Sequence, residues 1–193
     1  MKSQQLTCFF AVLVGCANAL PSTQTTGKNQ RLFKREDLNT TEYKYISLSQ
    51  AVFNAQNRAR ADPMSFAAEL DSFGYSNAAD NVRNQDGETF PQFTYDGGLR
   101  RAAADVISGS KAEVAARVEK YGDWKVTIGE GAVFGPATPM GVIAYMMKDP
   151  ANYENIFNPD FLVQGMSCGP DETYGTVCWF VYANQFNRTY FGP

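Results

Sequence analysis

The chain contains no histidine among its 193 residues. That absence excludes Ser-His-Asp and Cys-His nucleophilic catalysis, histidine general bases and every histidine-containing zinc site. Cysteine is scarce as well: Cys8 and Cys16 lie in an apolar N-terminal stretch, and beyond it only Cys168 and Cys178 remain. A lone pair in an oxidising compartment is read as one disulfide, which also removes free-thiol chemistry. A Gly-x-Ser-x-Gly elbow, a phosphate-binding glycine loop, a cluster of metal-type carboxylates and internal repeats are all missing. Carboxylates, lysine and tyrosine are left as the possible catalytic groups. Past the N-terminus no run approaches the roughly 18 apolar residues of a membrane helix, so no integral membrane segment is expected.

What is present begins with residues 1–19, which read as a signal peptide. Lys2 supplies the positive region, Leu6 to Val14 the apolar one, and Ala17-Asn18-Ala19 a small-x-small cleavage site, so the mature chain is expected to start near Leu20. Leu13-Val14-Gly15-Cys16 also fits a lipoprotein box, the rival reading. Residues 20–45 read as a flexible arm. Its first part carries four basic residues and no acidic one, and ends at Lys34-Arg35, which is either a dibasic pro-segment site or the end of an uncut basic tail. The sequons at Asn39 and Asn187 agree with secretion.

Five of the 17 basic residues precede Glu36, and all 20 acidic ones follow from it, which leaves twelve against twenty and a net charge of −8. Such a domain repels nucleic acid and anionic membranes. With 44% hydrophobic and 13% aromatic residues, the remainder, 46–190, is expected to bury one core as a monomeric domain.

The periodicities give an order of elements. Leu48, Val52, Ala55 and Ala59 recur at helical spacing after a Ser47 or Ser49 cap, and Asp62-Pro63 restarts a short helix carrying Phe66 and Leu70. Residues 72–95 read as a polar loop. Helices are expected from Gly98 and over 112–119, a half-buried strand at Trp124, Val126 and Ile128, and a helix after Thr138-Pro139 that Pro150 ends or interrupts. Phe161–Cys168 and Thr176–Ala183 read as a hairpin whose second strand is apolar on both faces. A strand buried on both sides requires layers above and below it, hence α+β as an α-β-α sandwich.

Several segments then stand in the order of a known family. Phe53 to Arg60, Tyr95 to Leu99, Tyr121 to Gly131 with its Gly129-Glu130-Gly131, Asn155 to Phe161, and Gly169 to Cys178 together resemble a CAP domain, the cysteine-rich secretory, antigen 5 and pathogenesis-related class-one superfamily. The resemblance spans roughly residues 46–185. It implies the same α-β-α sandwich with a central cavity that holds two histidines and two acidic residues in metal-binding members. Carried over, the histidines fall on Val106 and Asn152, a further one on Asp171, and the glutamate on Glu130, so the resemblance implies a dismantled metal site. No metal and no cofactor are expected. The expectation is a secreted, non-catalytic protein whose cavity, with Val106 as apolar wall and Glu130, Asn152 and Asp171 as polar groups, takes a sterol or other lipid. A vestigial cavity on a protein that engages an extracellular partner protein is the alternative, and a Glu130/Asp171 hydrolase the remote one.

Overall fold

The computed structural model describes residues 40–189, and the signal segment, Lys34, Arg35 and Asn39 lie outside them. Among the described residues seven helices and four strands follow one another: α1 Thr40–Ala61, α2 Pro63–Ser72, α3 Ser76–Arg83, β1 Thr94–Tyr95, α4 Gly97–Ile107, α5 Val114–Glu119, β2 Gly122–Phe134, α6 Pro139–Met146, α7 Pro150–Phe157, β3 Val163–Gly169 and β4 Val177–Arg188. The sheet order is β1-β3-β4-β2, with β1 parallel to β3 and the other pairs antiparallel.

Alternation along β4 sets the layers. Cys178, Phe180 and Tyr182 point into a core with α1, α2, α3, α6 and α7, whereas Val181 and Ala183 point with Leu99, Ala102, Ala103 and Val118 into a second core under α4 and α5. The expected α-β-α sandwich is therefore present, with both faces of the central strand covered. Three helices start as capped prolines: Asp62 Oδ1 accepts from Ser65 N at 2.9 Å, Thr138 Oγ1 from Gly141 N at 3.2 Å, and Asp149 Oδ1 from Ala151 N at 3.0 Å. Pro150 thus opens α7 and belongs to no part of α6. Cys168 and Cys178 form the disulfide across the hairpin, their Cα atoms 4.0 Å apart.

Polar side chains on α1 fix it to the sheet. Gln56 Oε1 accepts from Gln164 Nε2 at 2.7 Å and from the Tyr182 hydroxyl at 3.1 Å, all three residues being fully buried. Asn57 exchanges two hydrogen bonds with the backbone of Phe93. Arg60, also fully buried, has no carboxylate partner among the described residues and donates to the carbonyls of Pro91, Ile156, Asn158 and Phe161 while its guanidinium lies 4.1 Å from the Phe93 ring centroid. Burial pushes its pKa down to about 10, which leaves it charged at neutral pH. The same burial pushes the Tyr182 phenol up.

Three boundaries differ from the sequence reading. Helix α1 takes in residues 40–45, assigned above to the arm, and Tyr45 is buried on it with its hydroxyl donating to Gly175 O at 3.3 Å. Ser49 is no cap: its hydroxyl donates to Tyr45 O and accepts from Cys168 N, both at 2.9 Å, tying α1 to β3. The stretch 72–95 holds α3, which buries only Ala78, Ala79 and Val82, small side chains among the five polar residues of the same helix.

Candidate functional site

Glu130 lies midway along β2, opposite Val181 of β4. It therefore points to the α4/α5 side. There Arg117 of α5, whose side chain is 4% exposed, pairs with Glu130 Oε2 and also donates to the carbonyls of Ala102 and Ala112. Trp179 Nε1 donates to the same Oε2 at 2.9 Å. Glu130 thereby joins α5, β2 and β4 and neutralises a guanidinium that burial would otherwise leave uncompensated.

Asn152 is on the other side. A Cβ added to Gly131, the next residue of β2, would overlap Asn152 Oδ1, and successive residues of a strand face opposite ways. Strand β2 is an edge strand, and α7 covers that edge with two amides three residues apart. Asn152 Nδ2 donates to Ala132 O at 3.1 Å and to Asp149 Oδ2 at 2.9 Å, while Asn155 Nδ2 donates to Glu130 O at 3.0 Å. Satisfying the outer carbonyls blocks pairing with another strand. Asn152 is only 3% exposed and its Oδ1 has no hydrogen-bond partner in the structure.

The structure does not bring the four expected residues into one cavity. Val106 is half-buried near the C-terminus of α4 and belongs to neither core, and Asp171 is spent on the hairpin turn, where its Oδ1 accepts from Thr173 N at 3.0 Å and Tyr174 N at 2.7 Å. Among the described residues no group of three or more carboxylates and thiols stands close enough to hold a metal ion.

A different place offers room. Between α1 and α4, beside β3, is a groove of about 670 Å³ with Tyr45, Ile46, Tyr95, Ala104, Ile107 and Met166 as apolar lining and Glu42, Ser49, Gln50, Arg100, Ser108 and Ser167 as polar groups. Two glycines of β3 allow α4 to lie so close to the sheet here: a Cβ on Gly165 would overlap the backbone of Leu99 and Arg100, and one on Gly169 would come within 2.6 Å of Ile107 Cγ2. Arg100 makes no ion pair with any described residue. The sequence signal that was available is Tyr45 and Ser49, four residues apart and so one helical turn from each other, together with the Gly165/Gly169 pair.

No family model matches the chain, and no curated protein matches it. Among solved structures, a cysteine-rich secretory protein from Staphylococcus aureus is similar at a TM-score of 0.49 with 9% identity over 73% of this chain, which spans 39% of that one. An outer surface protein from Borrelia burgdorferi is similar at a TM-score of 0.44 with 15% identity, over 63% of this chain and 94% of that chain. Likenesses this distant carry no argument about activity, ligand or partner.

Proposed function

We propose that this protein is exported from the cell and acts by binding, with the groove between α1 and α4 holding one apolar molecule that carries a polar head, a sterol or another lipid. The observation that supports this reading is the groove itself: its volume is in the range of small-molecule sites, its walls are more apolar than polar, and the polar groups among them, Arg100 and Glu42 included, can orient a hydroxyl. A net charge of −8 from Glu36 onward favours neutral heads over anions, although Arg100 is a local donor for either.

The test is a titration of the full chain with a labelled sterol and a labelled fatty acid. Ala104→Trp fills the groove from α4, and circular dichroism checks that the fold persists. Saturable binding that Ala104→Trp abolishes supports the reading. Absence of saturable binding across a lipid panel, with capture of a specific extracellular protein, would replace it by a partner-binding role.

A further inference from the structure

Three aromatic side chains cluster where β2 ends and the β3–β4 hairpin turns. The Phe134 ring centroid is 5.4 Å from that of Tyr174, the planes inclined by 57°, and 6.5 Å from that of Trp179 at 88°. Rings set at such angles make a corner. Phe134 is 40% and Tyr174 60% exposed, so both residues reach water, unlike Phe93 and Phe161, which are buried against Tyr182. Trp179 Nε1 donates to Glu130 Oε2, which brings a carboxylate to the Trp179 wall of the corner. Arg117 pairs with that same oxygen, and Oε1 has no donor among the described residues.

Apart from Arg117 of α5, which is paired with Glu130, the segments that carry the corner supply charges of one sign. Residues 126–147 and 149–187, which supply all three rings, contain no lysine or arginine, and the hairpin turn adds Asp171 and Glu172. The one basic side chain bonded to Glu130, Arg117, is committed to it and to two carbonyls. Aromatic faces attract cations through their quadrupole, and a nearby carboxylate adds to that field. We propose that the Phe134–Tyr174–Trp179 corner is a binding site for an alkylammonium cation, with the rings as walls and Glu130 Oε1 as the fixed negative group. None of these residues lines the groove between α1 and α4, so the two sites stand or fall separately.

The experiment follows the tryptophan emission of the full chain during titration with choline chloride, sodium chloride serving as the ionic-strength control, and measures co-sedimentation with phosphatidylcholine vesicles in parallel. Saturable response to free choline identifies a soluble ammonium compound, and retention on vesicles alone identifies a lipid headgroup. Either outcome supports the site. Tyr174→Ala removes an exposed ring without touching the Asp171 turn bonds to the backbone, and is expected to weaken binding about two- to thirty-fold while the melting temperature stays unchanged. Binding is also expected to be lost with the uncharged tert-butyl isostere of choline. Equal binding of that isostere, an unchanged affinity in Tyr174→Ala, or no response from either choline or vesicles would overturn the proposal.

Discussion

Val126 is the position at which this sequence departs most plainly from its own local preference. It is β-branched, its φ is +68°, and it lies in the irregularity of β2 between Lys125 and Ile128, the residue being 79% exposed. A side chain in the left-handed region costs roughly 1–2 kcal/mol, and here almost no packing offsets it. Glycine removes that cost, but the freer unfolded chain takes back about 0.4–1 kcal/mol. Val126→Gly is therefore expected to stabilise the protein by about 0.5–1 kcal/mol, a rise of roughly 1–4 °C in melting temperature for a chain of this size. Urea denaturation and thermal circular dichroism measure both quantities. Lys125→Gly, at a neighbouring residue with ordinary negative φ, is the control and is expected to destabilise by about 0.5–1 kcal/mol, as glycine does inside a strand. If Val126→Gly lowered the midpoint as much as Lys125→Gly does, the strain argument would be refuted.

Breaking the hairpin disulfide with Cys178→Ser is expected to cost roughly 2–3 kcal/mol in the chain-entropy estimate, and an unchanged melting temperature under oxidising conditions would show the bridge to be energetically idle. With no histidine to titrate, the urea midpoint is expected to be flat between about pH 6 and 8; it should fall in acid, because hydrogen bonds from Ser65 hold the Asp62 carboxyl, and one from Arg83 the Asp71 carboxyl, below the usual carboxylate range. That stability is present above about pH 4 and is lost as pH drops through the lowered folded values, so a sharp change near neutrality would contradict it. Dialysed protein is expected to carry no stoichiometric zinc, and elemental analysis finding about one zinc per chain would overturn the reading of Val106 and Asn152 as lost ligands. Secretion from a eukaryotic host is expected to add glycans at Asn39 and at Asn187, which is exposed on β4; an unchanged mass after enzymatic deglycosylation would remove both assignments.

The layers of the fold were legible because they follow from one strand. Alternation in residues 177–183 makes both faces of β4 apolar, and the proline-capped starts at Pro63 and Pro139 mark where two helices begin, whereas Pro150, read as the end or interruption of a helix, opens one. What was hidden depends on contacts between distant segments. Helix α3 is held by α2 and not by its own pattern, while β1 is only two residues long and exists because β3 lies beside it. The inward side chains Gln56, Asn57 and Arg60 read as ordinary polar positions on a helix. Gln56 and Arg60 become structural once Gln164, Tyr182 and the Phe161 carbonyl are brought to them from more than a hundred residues away, and Asn57 once the backbone of Phe93 reaches it from 36 residues on.

The candidate site was the hardest to read, and strand parity is the reason. A sequence match can place Glu130 and Asn152 in neighbouring segments, but which of residues 129–131 shares a face with Asn152 depends on register, and one residue reverses the answer. Here Gly129 and Gly131 face α7 and its amides, and Glu130 faces Arg117 and Trp179. The glycines are needed on that side because the Phe161 ring at Gly129 and the Asn152 side chain at Gly131 approach the strand too closely for a Cβ. The segment Gly129-Glu130-Gly131 thus has a purely structural sufficient cause, an edge strand covered by two asparagines on one side and an ion pair on the other. Any ligand at Glu130 must approach from the Trp179 side, where the aromatic corner lies, and cannot at the same time touch Asn152.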